Sequence, residues 1–225
     1  MIKLILAYAS ISPPLEAHQV DIHDWALKTY GTEISFDIKR NGNNIGTHQV
    51  KFTKSENQLL VEANTQIRVK FLFFTAFKFD YNSKELWQNG ELKSLSSFTN
   101  NDGKKSNVSL EYGDDIVNVT NEKGSFTNIL KEPVFTTNHW NPNVLGEKMV
   151  LNTLTGKINN IEINKLGFEM VPAGNGTRKA MRHSYDGDLN NISTWYDEKS
   201  RWVGLNFKGR DGSLISYECN QCGIE

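Results

Sequence analysis

Between Trp195 and Tyr217 strand and turn alternate so closely that an antiparallel sheet is the natural fold. Val203, Leu205 and Phe207 alternate with Gly204, Asn206 and Lys208, the period of two that turns one face of a strand inward. Residues 198–201 precede this run and Gly209-Arg210-Asp211-Gly212 follows it. Both stretches favour reversals, so Trp195-Tyr196-Asp197, residues 202–207 and Ile215-Ser216-Tyr217 read as a meander.

The same pattern recurs upstream. Ile34, Phe36 and Ile38 alternate with polar residues, Asn41-Gly42-Asn43-Asn44 turns, and Val50 and Phe52 return inward. Residues 59–64 form a third short strand. From Thr65 to Tyr81, Val69, Phe71, Phe73, Phe77, Phe79 and Tyr81 share one parity, while Leu72, Phe74 and Ala76 take the other. A strand reversal bent around Phe74-Thr75-Ala76 accounts for that. Turns at Asn89-Gly90 and Asn100-Asn101-Asp102-Gly103 separate further strands. The periodicity stops at Pro133. Thr136 to Pro142 is polar and aromatic, and Asn141 is placed to cap a helical turn with Pro142 first in it. Residues 143–152 are the expected short helix.

The sum is an all-β, single-domain protein: an antiparallel, strongly curved sheet or open half barrel built from a meander, with at most one short helix. The domain is expected over residues 31–218. Residues 18–30 form an N-terminal arm, and residues 219–225 a tail holding the Cys-x-x-Cys. Residues 1–17 read as a signal peptide: Lys3 supplies the charge, residues 4–11 the apolar run, and Ala17 the small residue. Export to the periplasm or the exterior follows. Residues 69–79 are too short and too often broken by lysine for a transmembrane segment, which needs about 20 apolar residues. With 25 basic against 26 acidic residues, no basic surface for nucleic acid is expected.

Cys219 and Cys222 are the two cysteines. They make half a zinc site at most, and they lack the βαβ setting of a redox motif. A local disulfide or two free thiols is the simpler reading.

No Gly-x-Ser-x-Gly, phosphate loop, His-Glu-x-x-His or EF-hand spacing occurs, and no cofactor or metal is implied. His18 and His23 lie beside the expected cleavage point, and His48 is expected to face solvent. His139 lies in the segment without strand periodicity, next to Trp140, and suits acid–base work near neutral pH. Glu85 shares a strand face with Trp87, where an indole environment raises a carboxyl pKa. The plainer expectation for Glu85 is an ion pair with Arg182 or Arg201; for Asp186, Asp188 and Asp197 it is turn chemistry.

The ordered motifs are Gly46, Glu85-x-Trp87-x-x-Gly90, Thr99-x-x-x-Gly103, His139-Trp140-Asn141, Thr153-x-Thr155-Gly156, Trp195-Tyr196-Asp197, Trp202-Val203-Gly204-Leu205-x-Phe207 and Gly212-x-x-Ile215-x-Tyr217. In that order they resemble the bacterial exported family DUF6134 and are more distantly similar to DUF3108 proteins. The resemblance implies an antiparallel β protein exported in Gram-negative bacteria, a half barrel like the lipoprotein carriers. It carries no activity with it, and the terminal Cys-x-x-Cys departs from it.

Two functions fit. One is a non-catalytic protein that binds or carries a hydrophobic or lipid-like ligand through Phe73, Tyr81, Trp87, His139, Trp140, Trp195 and Trp202. The other is an enzyme acting on a glycan or lipid-linked substrate, with His139 and Glu85 as acid and base. The absence of a nucleophile or metal motif favours the first.

Overall fold

The computed structural model describes residues 22–71, 74–112, 116–129 and 134–224. The signal-peptide reading of residues 1–17, His18 and Phe73 fall outside them. The chain begins with helix α1 (Ile22–Tyr30) and continues through β1 (Glu33–Arg40), β2 (Asn43–Ser55), β3 (Gln58–Phe71), β4 (Phe74–Gln88), β5 (Glu91–Asn101), β6 (Lys104–Tyr112), β7 (Ile116–Asn121) and β8 (Gly124–Ile129). After β9 (Phe135–Thr136) comes a single 3-10 turn, Pro142–Gly146. Then follow β10 (Met149–Leu151), β11 (Ile158–Ala173), β12 (Gly176–Gly187), β13 (Ile192–Asp197), β14 (Trp202–Lys208) and β15 (Leu214–Gln221).

All the strands join one sheet in the order β8-β7-β6-β5-β4-β3-β2-β1-β15-β14-β13-β12-β11-β10-β9. The order is a meander cut between β8 and β9, with the first and last strands paired at its centre: Ile38 lies opposite Tyr217 and Lys39 opposite Ser216. Pairing is antiparallel except for β9 with β10 and a contact of Ala173 with Cys219 that draws β11 back to β15. The reversals are tight. Asn41-Gly42, Asn89-Gly90 and Asp102-Gly103 have positive φ at both residues, the conformation of two-residue hairpin turns whose twist matches the strands.

Alternation decides which side chains enter the core. On β4, Tyr81, Ser83, Glu85 and Trp87 are buried while Asn82 and Lys84 are exposed. Ile34, Phe36, Val50, Phe52, Leu59, Val61, Leu92 and Leu95 extend the same buried layer across neighbouring strands. Residues 134–153 fold over that layer as a plug, burying Val134, Phe135, Trp140, Val144, Val150 and Leu151 against it. Gly46 is needed where β2 crosses β3, since a Cβ there would lie 2.0 Å from the Gln66 carbonyl oxygen.

Several expectations change. The arm of residues 18–30 contains a helix: Ile22, Ala26 and Tyr30, four residues apart, are buried on one face of α1. Asn141 does cap a turn, accepting from the Asn143 N–H at 3.1 Å with Pro142 first inside, but that turn is 3-10 and ends at Gly146. Residues 149–151 are strand instead of helix because they pair with β11. The tail boundary at residue 219 also moves, because β15 runs through Cys219 to Gln221. Phe74, Thr75 and Ala76, expected at a reversal, lie in β4, with Thr75 opposite Lys70 of β3. On β14, Trp202 and Gly204 are buried together with Val203 and Leu205, so this strand is covered on both faces at its start.

Candidate functional site

Glu85 is the polar centre of the molecule. It is 0% exposed, and four neutral groups donate to its carboxylate. The Trp87 Nε1–H, two residues along the same face of β4, reaches Oε2 at 2.9 Å. The Trp140 Nε1–H reaches the same oxygen at 3.0 Å. The Thr136 hydroxyl and the Asn138 Nδ2 each donate to Oε1 at 2.7 Å. Burial pushes the Glu85 carboxyl pKa above its usual range; the hydrogen bonds from Thr136, Trp140, Trp87 and Asn138 oppose that and hold it back. The expected ion pair does not form: Arg182 bonds Ser193 and Glu169, and Arg201 bonds Asp197.

Around this centre the plug is stitched to the sheet. Asn138 also donates to the Ser83 hydroxyl at 3.0 Å and accepts from the Tyr81 hydroxyl at 3.1 Å. Tyr81 donates to Thr153 at 2.8 Å, and Ser97 donates to the Thr153 carbonyl at 2.5 Å. The backbone at His139 and Trp140 is held by two more tyrosines. Tyr196 donates to the His139 carbonyl at 2.7 Å, and Tyr30 donates to the Trp140 carbonyl at 2.9 Å. Trp140 packs edge-on against Trp87 and against Phe52, each with centroids 5.5 Å apart.

His139 is buried beside this network. Its ring meets Tyr185 edge-on at 5.6 Å and Trp202 at 5.7 Å, with the Tyr185 hydroxyl 3.4 Å from Nδ1. Desolvation lowers its pKa to about 4, so it is neutral at physiological pH. His48, expected in solvent, is buried as well. It shares parity with Val50 and Phe52, its Nδ1 lies 2.7 Å from the Thr65 hydroxyl, and burial followed by the neighbouring His139 lowers its pKa to about 3.

The structure therefore brings Tyr81, Glu85, Trp87, His139 and Trp140 into one buried cluster, with Trp202 against His139. Trp195 stands apart, donating to Glu169 at 3.2 Å beneath the Arg182 guanidinium. Two open pockets, of about 740 and 500 Å³, are lined by other residues. Glu85 and His139 are both buried, at 0% and 7% exposure. Thr136 and Asn138 are not among the residues expected at the site, and Thr153 enters the sequence reading only within an ordered motif; their signal is the loss of strand periodicity after Pro133. Cys219 and Cys222 form a disulfide. Asp197 plays the turn role expected of it, accepting from the Lys199 and Arg201 N–H groups, and also pairs with the Arg201 guanidinium at 2.7 Å. Among the described residues no group of three or more His, Cys, Asp or Glu could hold a metal ion, and no helix is long and apolar enough to cross a membrane.

The family model described as "Domain of unknown function (DUF6134)" matches residues 36–220. The chain belongs to the DUF6134 family. The matched span runs from within β1 to within β15 and takes in Glu85, the plug and the terminal meander. Among solved structures, the chain is similar to the β-barrel-like DUF1849 protein from Brucella abortus. The TM-score is 0.59 at 12% identity, covering 86% of this chain and 97% of that one. That likeness extends the fold beyond the DUF6134 family and speaks to the fold alone. No curated protein matches the chain.

Proposed function

We propose that this DUF6134 protein is an exported, non-catalytic β-rich protein that binds a hydrophobic, lipid-like ligand. The observation that carries this reading is a strip of bare apolar side chains on β11: Leu166 is 54%, Phe168 53% and Met170 62% exposed. Soluble monomers seldom leave large apolar groups side by side unless something covers them. The strip begins at a bulge between Lys165 and Gly167, with Leu166 in it. It also lies on a stretch of β11 whose strand partner among the described residues is β12, because β10 pairs no further than Asn160 and β15 pairs at Ala173. Of the aromatic residues, Trp195 bonds Glu169 on β11 beside the strip, whereas Tyr81, Trp87, His139, Trp140 and Trp202 belong to the buried cluster that anchors the plug. The leader-like residues 1–17 and the Cys219–Cys222 disulfide support an oxidising compartment, periplasmic or extracellular.

Native mass spectrometry of the purified protein, with titration of a fluorescent fatty acid, tests the reading. We expect retained or titratable ligand, binding weakened about tenfold by the triple change Leu166→Ser, Phe168→Ser, Met170→Ser, and binding nearly intact in His139→Ala. No retained ligand and no response to the probe would overturn it.

A further inference from the structure

The face of the sheet opposite the plug carries a second pattern. Five side chains from five consecutive strands stand in register: Gln49 pairs with Asn64, Asn64 with Asn82, Asn82 with Phe98 and Phe98 with Asn107. Strands lie about 4.8 Å apart, so this row of four amides and one ring runs roughly 19 Å across β2 to β6. An open groove of about 500 Å³ follows it, lined also by Lys51, Glu62, Lys84 and Ser96. These belong to the adjacent row, in which Lys51 faces Glu62, Glu62 faces Lys84 and Lys84 faces Ser96.

The chemistry of the row is selective. Asn is depleted in strands, yet three of the five positions hold it. Asn64 donates to Asn82 at 2.5 Å and Gln49 to Glu33 at 2.7 Å, and side-chain amides, each with two N–H donors and a carbonyl acceptor, have more capacity than these two bonds use. Charge is nearly balanced, with Lys84 bonded to Glu62 at 2.8 Å, so neither an anionic nor a strongly cationic polymer is favoured. A line of amides that both donate and accept, broken by one aromatic face, matches a chain of hydroxyls carried on rings with apolar C–H faces. We propose that this groove binds an uncharged glycan chain laid across β2 to β6, with Phe98 stacking on a sugar ring and Asn64, Asn82 and Asn107 bonding its hydroxyls.

The site is separate from the apolar strip on β11 and stands or falls on its own. The test is an NMR titration of side-chain amides with maltohexaose, cellohexaose and chitohexaose. We expect the Asn64, Asn82 and Asn107 amide signals to shift with at least one of them. We expect Phe98→Ala, and separately Asn82→Ala with Asn107→Ala, to weaken binding about tenfold with the melting temperature held. Absence of shifts with all three sugars overturns the proposal, as does binding that survives both sets of substitutions. A fatty acid that shifts the same amides while the sugars do not also overturns it.

Discussion

Glu85 and Trp140, separated by 55 residues, meet through a hydrogen bond of 3.0 Å from the indole N–H to the carboxylate. Because the same carboxylate takes three further donors, it fixes the plug to β4 at both of its oxygens. Replacing one member of such a buried set leaves the others unpaired, which costs more than the bond itself contributed. Glu85→Ala should therefore destabilise the fold by about 3–5 kcal/mol, and Trp140→Phe, which removes one donor and keeps the ring, by about 1–3 kcal/mol. Urea unfolding followed by tryptophan fluorescence measures both. Equal, small losses would mean that the network is dispensable.

The carboxyl of Glu85 also predicts a pH dependence. Its folded pKa lies above the ordinary 4.5, so the folded state holds its proton longer than the unfolded chain. That contribution is complete below pH 4.5 and declines as pH rises through the folded value. Glu85→Gln should flatten this part of the stability–pH curve; an unchanged slope in the variant would exclude Glu85 as its source.

His139 acts in the opposite sense. Its pKa falls from 6.5 to about 4 on folding, so the unfolded chain takes up the proton first. Stability from this group is complete above pH 6.5 and is lost as pH falls to about 4, by roughly 3 kcal/mol in total. Comparing wild type with His139→Gln across that window isolates the effect from that of Glu85. Parallel curves would contradict the assignment.

Gly46 makes a steric prediction. A methyl group placed 2.0 Å from a backbone oxygen cannot be relieved by a rotamer change. Gly46→Ala should cost more than about 3 kcal/mol by forcing β2 from β3, against an ordinary Gly→Ala change that is neutral or stabilising in strands. Thermal melting decides it.

The disulfide should matter much less. Cys219 and Cys222 are separated by 3 positions, and closing so short a loop is worth about 2 kcal/mol or less by chain entropy. Reduction under native conditions should leave the circular dichroism spectrum unchanged and lower the melting temperature by only a few degrees.

The fold was legible from the sequence where strand period and turn chemistry agree, as at Ile34-Phe36-Ile38 followed by Asn41-Gly42. Glu85 and Trp87 could be placed on one face by their spacing of two. Their partners could not, because Thr136, Asn138 and Trp140 arrive from a segment without period, and only the folding of the plug onto the sheet brings them near. His48 was legible and misjudged: its parity with Val50 and Phe52 marks it as inward. Helix α1 carries an apolar period of four, Ile22, Ala26 and Tyr30, but the sequence reading assigns this stretch to the N-terminal arm. The register of Gln49, Asn64, Asn82, Phe98 and Asn107 likewise needed the pairing of strands, since nothing in the sequence aligns five positions spread over five strands.

The pairing of β1 with β15 has a consequence for how the chain comes to be made. One edge of β1 finds β2 at once, but its other edge has no neighbour until residues 214–221 have been synthesised. A growing chain therefore carries an open, apolar strand edge through most of its synthesis, a site where foreign strands add. Holding the polypeptide unfolded until its last strand has emerged would spare it that exposure.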